Sequence, residues 1–384
     1  MAQAWSADDY RFMAMALQLA AAGRYSAAPN PHVGCVLVNG GEVVGRGVHK
    51  EAGTAHAEVH AIAEAGGASV GSTAYVTLEP CAHQGRTGPC ADALIAAGVV
   101  RVVAALQDPN PQVAGSGLER CGAAGVEVSC GLLANEATEE YRGFLSRMAT
   151  KRPWVTTKLA ASVDGRTALA NGESQWITGP QARGDVQLLR AVAGAMLTGV
   201  ETILADDASL NVRLDSDLAV GEWRQPLRVI LDTALRTPLT AKTLSLAGDV
   251  LIFCGPNAGR KKRQALQEAG AEVVAVELVG SDKERERLDL LAVLSELARR
   301  EVNTVMVEAG ARLNGSLLEQ GLVDELVLYQ APHALGSESR GLFEFPLSAM
   351  SERPEFEYFD VRQLGVDLRL TLRLKIARNL FSES

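Results

Sequence analysis

Helix-like and strand-like stretches alternate along almost the whole chain, and that alternation leaves few folds open. Asp8 to Gly23 carries apolar residues at helical spacing and ends on a glycine. The stretch HVGCVLVNGGEVVGRGVH (32–49) holds two β-rich runs around Asn39-Gly40, a hairpin signal. HAEVHAIAEAGG (56–67) reads as a helix ended by Gly66, and TAYVTLEP (73–80) as a strand stopped by Pro80. CADALIAAG (90–98) gives a short helix, VVRVVAAL (99–106) a buried strand, and residues 117–131 a further helix and strand. Such an order implies a central sheet with helices packed on its faces.

The pattern restarts around Lys151-Arg152-Pro153, which reads as a linker. After it come strand-like VTTKLA, a turn at Asp164-Gly165 and a helix following Pro180. Strands are expected at AMLTGV, LRVILD, VLIFCG, EVVAVEL, TVMVEAG and ELVLYQAP, with helical stretches such as LLAVLSELARR between them. The alternating DLRLTLRLKI (367–376) is expected to add an antiparallel edge. A chain of 384 residues is long enough for two cores, so two α/β domains are expected, 1–149 and 150–384.

Composition narrows the function classes. Hydrophobic residues make up 47% and charged residues 22%, a globular balance with no apolar run long enough for a membrane span. Acidic residues precede the first apolar stretch, which reads as a mature amphipathic helix and not a signal peptide. The net charge of −9 argues against a nucleic-acid partner. Six scattered cysteines without a secretory signal point to a reducing, cytoplasmic setting, where cysteines serve as metal ligands, catalytic groups or small core residues.

The chemistry is concentrated in His56, Glu58, Cys81 and Cys90. One imidazole and two thiolates suit zinc and leave its fourth position to water, as a catalytic site requires. His56 and Cys90 are expected at helix N-termini, where the helix dipole favours the thiolate. Zinc would lower the pKa of its water, and Glu58, two residues from His56, would act as general base and then acid. The arrangement marks zinc deaminases of nucleobases and nucleotides, whose cysteines are commonly two residues apart; here eight residues, AHQGRTGP, separate them. That insert holds His83 and Arg86, candidate binders of a phosphate or ribose.

Other readings exist. His56 and His60 are spaced like a metalloprotease pair, but Ala57 stands where that motif needs glutamate. A structural zinc would need a fourth protein ligand, with His83 or His49 as candidates. His60 is read as a packed or capping histidine, and Cys35, Cys121, Cys130 and Cys254 as core residues. In the loop Pro29 to Gly34, Asn30 offers a donor and an acceptor to a pyrimidine edge, or is simply a turn residue.

In the second half, VMVEAGARLNGSLL reads as strand, glycine loop and helix, with the N–H groups of Gly310 to Ser316 aimed at an anion. A polar cluster follows the linker: Lys158, Ser162, Asp164, Arg166 and Ser174 to Thr178, with Thr202, Asp206, Asp207 and Arg213 further on. Chemistry alone indicates a phosphate-bearing cofactor or substrate.

The strings NPxVG, GxHxxAGxxHAE and EPCxHxGRTxPC in the first half resemble the RibD family of bifunctional riboflavin-biosynthesis enzymes. So do KLAASVDGR, GESQWIT, TxLADDxxLxxR and VEAGxxLxGSLL in the second. The resemblance implies a cytidine-deaminase-like three-layer α/β/α domain followed by a dihydrofolate-reductase-like α/β domain. It implies deamination of 2,5-diamino-6-(5-phosphoribosylamino)pyrimidin-4(3H)-one, then NADPH-dependent reduction to 5-amino-6-(5-phosphoribitylamino)uracil. Carried over by motif, His56, Cys81 and Cys90 bind zinc, Glu58 shuttles the proton, and Asn30, His49, His83 and Arg86 line the deaminase pocket. Ala160, Trp176, Thr202, Asp206, Gly310, Ala311, Arg312, Leu313, Asn314, Gly315 and Ser316 match NADPH-contacting positions. Ser174, Arg190, Leu210, Arg213 and Glu308 match substrate-contacting ones. Ala208 replaces a proline common in that motif. The partner implied is a small phosphoribosyl pyrimidine, with no nucleic acid or membrane, in a homo-oligomer of two or four copies. The alternatives are a nucleobase or tRNA-editing deaminase with an unrelated C-terminal domain, and a non-catalytic zinc module.

Overall fold

The structure is a computed structural model and describes residues 4–82, 88–110, 113–214, 223–280 and 286–375. These divide into two compact units, one comprising the chain up to Thr150, the other the bulk of the chain from Lys151.

In the first unit the elements run α1 (Ala7–Ala22), β1 (Gly34–Asn39), β2 (Glu42–Val48), α2 (Ala57–Ala65), β3 (Thr73–Val76), α3 (Cys90–Ala96), β4 (Arg101–Ala104), α4 (Ser116–Ala123), β5 (Glu127–Cys130) and α5 (Ala134–Thr150). The strands form one sheet in the order β2-β1-β3-β4-β5, antiparallel at β2-β1-β3 and parallel from β3 onward. Strand side chains alternate between faces, and the core divides accordingly. Val36, Tyr75 and Val103 pack with Phe12 and Met13 of α1 and with Tyr141 and Phe144 of α5. Cys35, Leu37, Val76, Val102 and Ala104 pack with Ala57 and Ala61 of α2, Ala91 and Leu94 of α3 and Cys121 of α4. The unit is therefore three layers, α/β/α.

Three expectations change here. The hairpin turns at Gly40-Gly41, both at positive φ, one residue beyond the expected Asn39-Gly40; Asn39 stays paired with Glu42. Cys130 is exposed at the end of the edge strand β5, whereas Cys35, Cys121 and Cys254 are buried. Helix α5, 17 residues long, has no counterpart in the sequence pattern. Its apolar residues are broken up by Asn135, Glu136, Glu139, Glu140 and Arg142, which leave only one face to pack.

The second unit contains β6 (Trp154–Ser162), β7 (Arg166–Ala168), α6 (Pro180–Val192), β8 (Ala195–Gly199), α7 (Val200–Asp206), β9 (Leu227–Leu231), α8 (Lys242–Ser245), β10 (Val250–Cys254), α9 (Arg260–Glu268), β11 (Ala271–Ala275), β12 (Leu278–Val279), β13 (Arg287–Leu288), α10 (Leu290–Arg299), β14 (Thr304–Val307), α11 (Ala311–Glu319), β15 (Glu325–Ala331), β16 (Arg340–Gly341), β17 (Phe356–Leu364) and β18 (Asp367–Leu374). Nine strands form its main sheet in the order β11-β10-β9-β8-β14-β6-β15-β18-β17. Pairing is parallel from β11 to β15, and β18 and β17 add antiparallel. The edge is thus β17, with β18 inside it, because residues 356–364 form a strand that the sequence pattern does not announce. Two apolar clusters line the sheet, one built on Leu197, Val229, Leu251 and Val307, the other on Met196, Ile230, Ile252 and Met306.

The segment read as a linker is not a free tether. Arg152 is buried and pairs with both oxygens of buried Asp324 at 2.8 and 2.9 Å, and Asp324 also accepts the N–H of Val155 at 2.8 Å.

Candidate metal centre and reductase crevice

His56 is the residue before α2, and Glu58 is the second residue within it. The helix lies directly on β2 because Gly45 and Gly47 carry no side chain there. A Cβ on Gly47 would stand 1.8 Å from the Ala57 carbonyl oxygen, and one on Gly45 2.1 Å from that of Ala61. Gly47→Ala must therefore lift the helix start that carries His56 and Glu58. The expected results are a stability loss of about 1–3 kcal/mol, with zinc content and ammonia release falling together; full zinc content and wild-type deamination would contradict this.

Cys81 lies in the loop beyond β3, and Cys90 opens α3. The Nδ1 of His56 is 3.2 Å from the sulfur of Cys90 and 3.6 Å from that of Cys81, and the backbone N–H of Cys90 points at the Cys81 sulfur at 3.3 Å. One nitrogen and two sulfurs thus lie within 4.8 Å of one another. The Cys81 thiol is driven down, first by a hydrogen bond from the Cys90 thiol and, against burial, by His56; Cys90 is driven up by Cys81 and by burial. One imidazole nitrogen and two thiol sulfurs within this distance are donors that zinc takes, and a divalent cation favours ionised thiols, so the donor set fits zinc. Glu58 is buried, and burial pushes its carboxyl pKa up against the pull of His56.

Beside this cluster lies His49, also buried, its ring edge-on to that of His56 with centroids 5.1 Å apart. Its Nδ1 is 3.1 Å from the Ala55 carbonyl oxygen and its Nε2 3.1 Å from the amide nitrogen of Asn30. Nδ1–H therefore donates to Ala55, and Nε2 accepts from Asn30. Both ring nitrogens being engaged, His49 is no fourth metal ligand. His60 is exposed, not packed. His83 and Arg86 lie outside the described residues.

Sequence reasoning missed Glu79. This buried carboxylate accepts the N–H groups of Gly117 (2.8 Å) and Leu118 (3.2 Å) on one oxygen, and of Asp108 (3.0 Å) and Gly115 (2.9 Å) on the other. It ties the loop that carries Cys81 to the start of α4. A glutamate immediately before Pro80-Cys81 was the available signal.

In the second unit, β8 and β14 part company: β9, β10 and β11 run outward from β8, while β14 returns between β8 and β6. Ligands of open α/β sheets bind at such a switch point, beyond the carboxyl ends of the strands. There β8 enters α7 through Gly199 and β14 enters α11 through Gly310, both without side-chain caps. Leu313 of α11 lies 3.7 Å from where a Cβ on Gly199 would stand. The first N–H groups of α11 lack helical partners, so this end suits a diphosphate. Only part of Gly310 to Ser316 can serve it, however. The helix begins at Ala311, and the N–H of Asn314 bonds Gly310 at 3.2 Å. Asn314, Gly315 and Ser316 are buried, and Gly315 is pressed against the backbone of Glu344. The expected anion loop is thus mostly helix, and Gly310 to Leu313 form its open end.

Glu308, next to β14, is gripped by Arg190 of α6, whose Nε and Nη2 lie 2.7 and 2.9 Å from its two oxygens. Lys158 of β6 adds its ammonium at 3.9 Å. Burial works to raise the Glu308 carboxyl, but Arg190 and Lys158 outweigh it and hold the pKa at about 2. Burial lowers the pKa of Lys158. Ala160 is half-buried two residues on along β6. Trp176 is 69% exposed, with the Arg183 guanidinium 4.5 Å from its ring centroid. Ser174 and Thr202 are half-buried, while Asp206, at the end of α7, and Arg213 are exposed. Leu210 is buried in the core at positive φ, so it meets a ligand through its backbone or not at all.

Two families of known proteins match the chain. Residues 6–106 match the cytidine and deoxycytidylate deaminase zinc-binding region, and residues 153–370 the RibD C-terminal domain. The riboflavin biosynthesis protein RibD of Escherichia coli is 48% identical over 373 residues, covering 95% of this chain and 99% of the relative. That of Haemophilus influenzae is 47% identical over 375 residues, covering 96% and 98%. Among solved structures, Acinetobacter baumannii RibD superposes with a TM-score of 0.88 at 43% identity, covering 96% of this chain and 99% of that one. The Thermotoga maritima diaminohydroxyphosphoribosylaminopyrimidine deaminase/5-amino-6-(5-phosphoribosylamino)uracil reductase does so at 0.81 and 30% identity, with the same coverage. The match beyond residue 153 removes the reading of an editing deaminase with an unrelated tail. With a deaminase zinc-binding region, a RibD C-terminal domain and near full-length identity approaching one half, the chain belongs to the RibD family of bifunctional riboflavin-biosynthesis enzymes.

Proposed function

We propose that the chain carries out two consecutive steps of riboflavin biosynthesis, one in each unit. The first unit hydrolyses the 2-amino group of 2,5-diamino-6-(5-phosphoribosylamino)pyrimidin-4(3H)-one. The second uses NADPH to reduce the ribosyl side chain, giving 5-amino-6-(5-phosphoribitylamino)uracil. The observation that carries this reading is the nitrogen–sulfur–sulfur cluster of His56, Cys81 and Cys90 beside the buried Glu58.

Zinc held by those three residues supplies a Lewis acid that brings the pKa of water towards neutrality. Glu58 takes the proton that water gives up and passes it to the departing amine, which leaves as ammonia. Asn30, with its amide nitrogen spent on His49, keeps its carbonyl oxygen for the pyrimidine edge, and His49 holds it there. His83 and Arg86 complete the pocket by family resemblance. Both ring nitrogens of His49 are engaged, by Ala55 and Asn30, so it would not join His56, Cys81 and Cys90 in holding zinc.

In the second unit NADPH supplies the hydride. The open end of α11, from Gly310 to Leu313, holds its diphosphate, and Ala160, Trp176, Thr202 and Asp206 are its other contacts, with Asn314, Gly315 and Ser316 supporting from within the helix. The ribose opens to an imine before hydride reaches C1′. Arg190 and Glu308 orient the substrate together with Ser174 and the Leu210 backbone, and Arg213 takes its phosphate. The enzyme works in the cytoplasm as a homo-oligomer of two or four copies, a reading supported by the family resemblance. Among the described residues no helix is long and apolar enough to cross a membrane.

A coupled assay tests the whole. Purified protein given the diaminopyrimidine ribosyl phosphate should release ammonia until zinc is chelated. Addition of NADPH should then be followed by loss of the reduced nicotinamide's absorbance. Ammonia without NADPH consumption would overturn the reductase half, and no ammonia would overturn the deaminase half. Arg213→Ala should raise the reductase KM for the phosphorylated substrate about 10–100-fold, the range expected for a lost hydrogen bond to a charged group, with kcat little changed. An unchanged KM would remove Arg213 from the substrate site.

A further inference from the structure

The segment between α1 and β1 carries Asn30, and its anchoring comes largely from α5, the helix that the sequence pattern does not announce. Glu140 of α5 lies 2.8 Å from the Nε2 of His32 and takes the Arg24 guanidinium at 2.8 and 2.9 Å. The next residue, Tyr141, packs its ring on that of His32 with centroids 5.4 Å apart. Its hydroxyl donates to the His32 carbonyl at 3.4 Å and meets the Thr77 hydroxyl at 2.5 Å, which in turn accepts the N–H of Gly34 at 3.0 Å. Both the side chain and the backbone of His32 are therefore held from α5.

What this anchoring delivers lies next to the metal cluster. Two residues before His32, the Asn30 amide meets the Nε2 of His49; one residue after it, the Val33 carbonyl accepts the His49 N–H at 2.9 Å. His49 is thus bound twice by the segment that Glu140 fixes, and its ring packs on that of His56. The Asn30 carbonyl oxygen has no hydrogen-bond partner among the described residues. Among the described residues, the His49 contact and the loop behind it set its direction.

We infer that Glu140 is a positioning residue for deamination, holding His32 so that Asn30 presents its carbonyl oxygen to the pyrimidine. The inference rests on the proposed contact between Asn30 and substrate. The carboxylate suits this role because it stays charged at neutral pH. Burial works to raise its pKa, but His32 and Arg24 hold it at about 2. Its side-chain partners are Arg24 and His32, and none of the candidate metal ligands is among them. Its effect passes through Asn30, which distinguishes it from a residue that merely stabilises the fold.

A double-mutant cycle on the zinc-loaded full-length enzyme tests this. Glu140→Ala should raise the deaminase KM about tenfold, with kcat within about twofold, full zinc content and unchanged reductase kinetics. Asn30→Ala should raise KM at least as much. In the Asn30→Ala background, Glu140→Ala should then cost less than about twofold, because the group it positions is gone. Multiplicative effects, or an unmoved KM in Glu140→Ala beside a raised one in Asn30→Ala, would overturn the inference alone. A wild-type KM in Asn30→Ala would overturn the pocket reading and the inference with it. Should Glu140→Ala not fold, His32→Ala breaks the same link from the other side, and its cycle with Asn30→Ala decides the question by the same criteria.

Discussion

Replacing Glu58 with glutamine should slow ammonia release about 10²–10⁴-fold, the usual contribution of a positioned acid–base group, while zinc stays bound and hydride transfer continues. The substitution keeps the size of a side chain that is 3% exposed, so the packing of α2 on β2 is preserved. It leaves the one nitrogen and two sulfurs of the metal cluster untouched. What it removes is the only buried carboxylate on the helix that supplies His56. Three readouts separate chemistry from damage: metal content by elemental analysis, deamination by ammonia, and reduction by NADPH oxidation. Deamination within a few-fold of wild type would remove Glu58 from the reaction. Loss of zinc together with activity would instead make it a structural support of the metal centre.

Glu308→Ala should be the most damaging change in the second unit. It strips the partner from Arg190, which is 9% exposed, and the nearest anion from Lys158. Breaking a buried pair by removing one member typically costs about 3–5 kcal/mol, because the charge left behind has lost its water as well as its partner. Reduction should fall at least about 100-fold, a tenfold loss corresponding to about 1.4 kcal/mol, and the thermal transition of this unit should drop by several degrees. Ammonia release should persist. The acid dependence gives a second check. The Glu308 carboxyl titrates at about 2 when folded, below its ordinary value of about 4.3. Its pairing therefore stabilises fully above the ordinary value and is lost as pH falls towards the folded one. Melting curves of the wild type between those limits should carry a component that the variant lacks. Identical acid dependence in the two proteins would show that Glu308 is not held by these cations.

The candidate metal centre was legible in the sequence because its residues are short-range signals. His56, Glu58 and Cys90 stand at the start of a helix and Cys81 in the loop after a strand, near boundaries that a Gly, a Pro or a change of hydrophobic period announces. The α/β order and the two-domain division were legible on the same ground. The glycines of β2 were visible too, but not what they allow: that Gly47 meets the Ala57 carbonyl is a fact of helix lying on strand.

The reductase crevice was less legible, since its parts come from separate strands. Arg190 and Glu308 are 118 residues apart and form a bidentate pair. Gly310 to Ser316 looked like an anion loop, but the structure continues it as helix, because the buried Asn314 bonds the Ala309 carbonyl at 2.8 Å and Gly315 fits against Glu344. Arg152 looked like part of a linker until Asp324, far along the chain, supplied its buried partner. The strand β17 and helix α5 carry many polar residues, and only the neighbours they pack against reveal them.

By itself, then, the sequence determined the two α/β domains and singled out His56, Glu58, Cys81 and Cys90 as a candidate metal site, because these follow from local period and from the coordination chemistry of side chains. Tertiary structure alone decided what each buried carboxylate is paired with. Glu58, Glu79, Glu140 and Glu308 are the same residue in the sequence. They differ in what surrounds them: burial beside the His56 and cysteine cluster, four backbone N–H groups, a histidine with an arginine, and an arginine with a lysine. Desolvation and nearby charge set a carboxylate's proton affinity and its work, and both come from residues that only folding brings within reach.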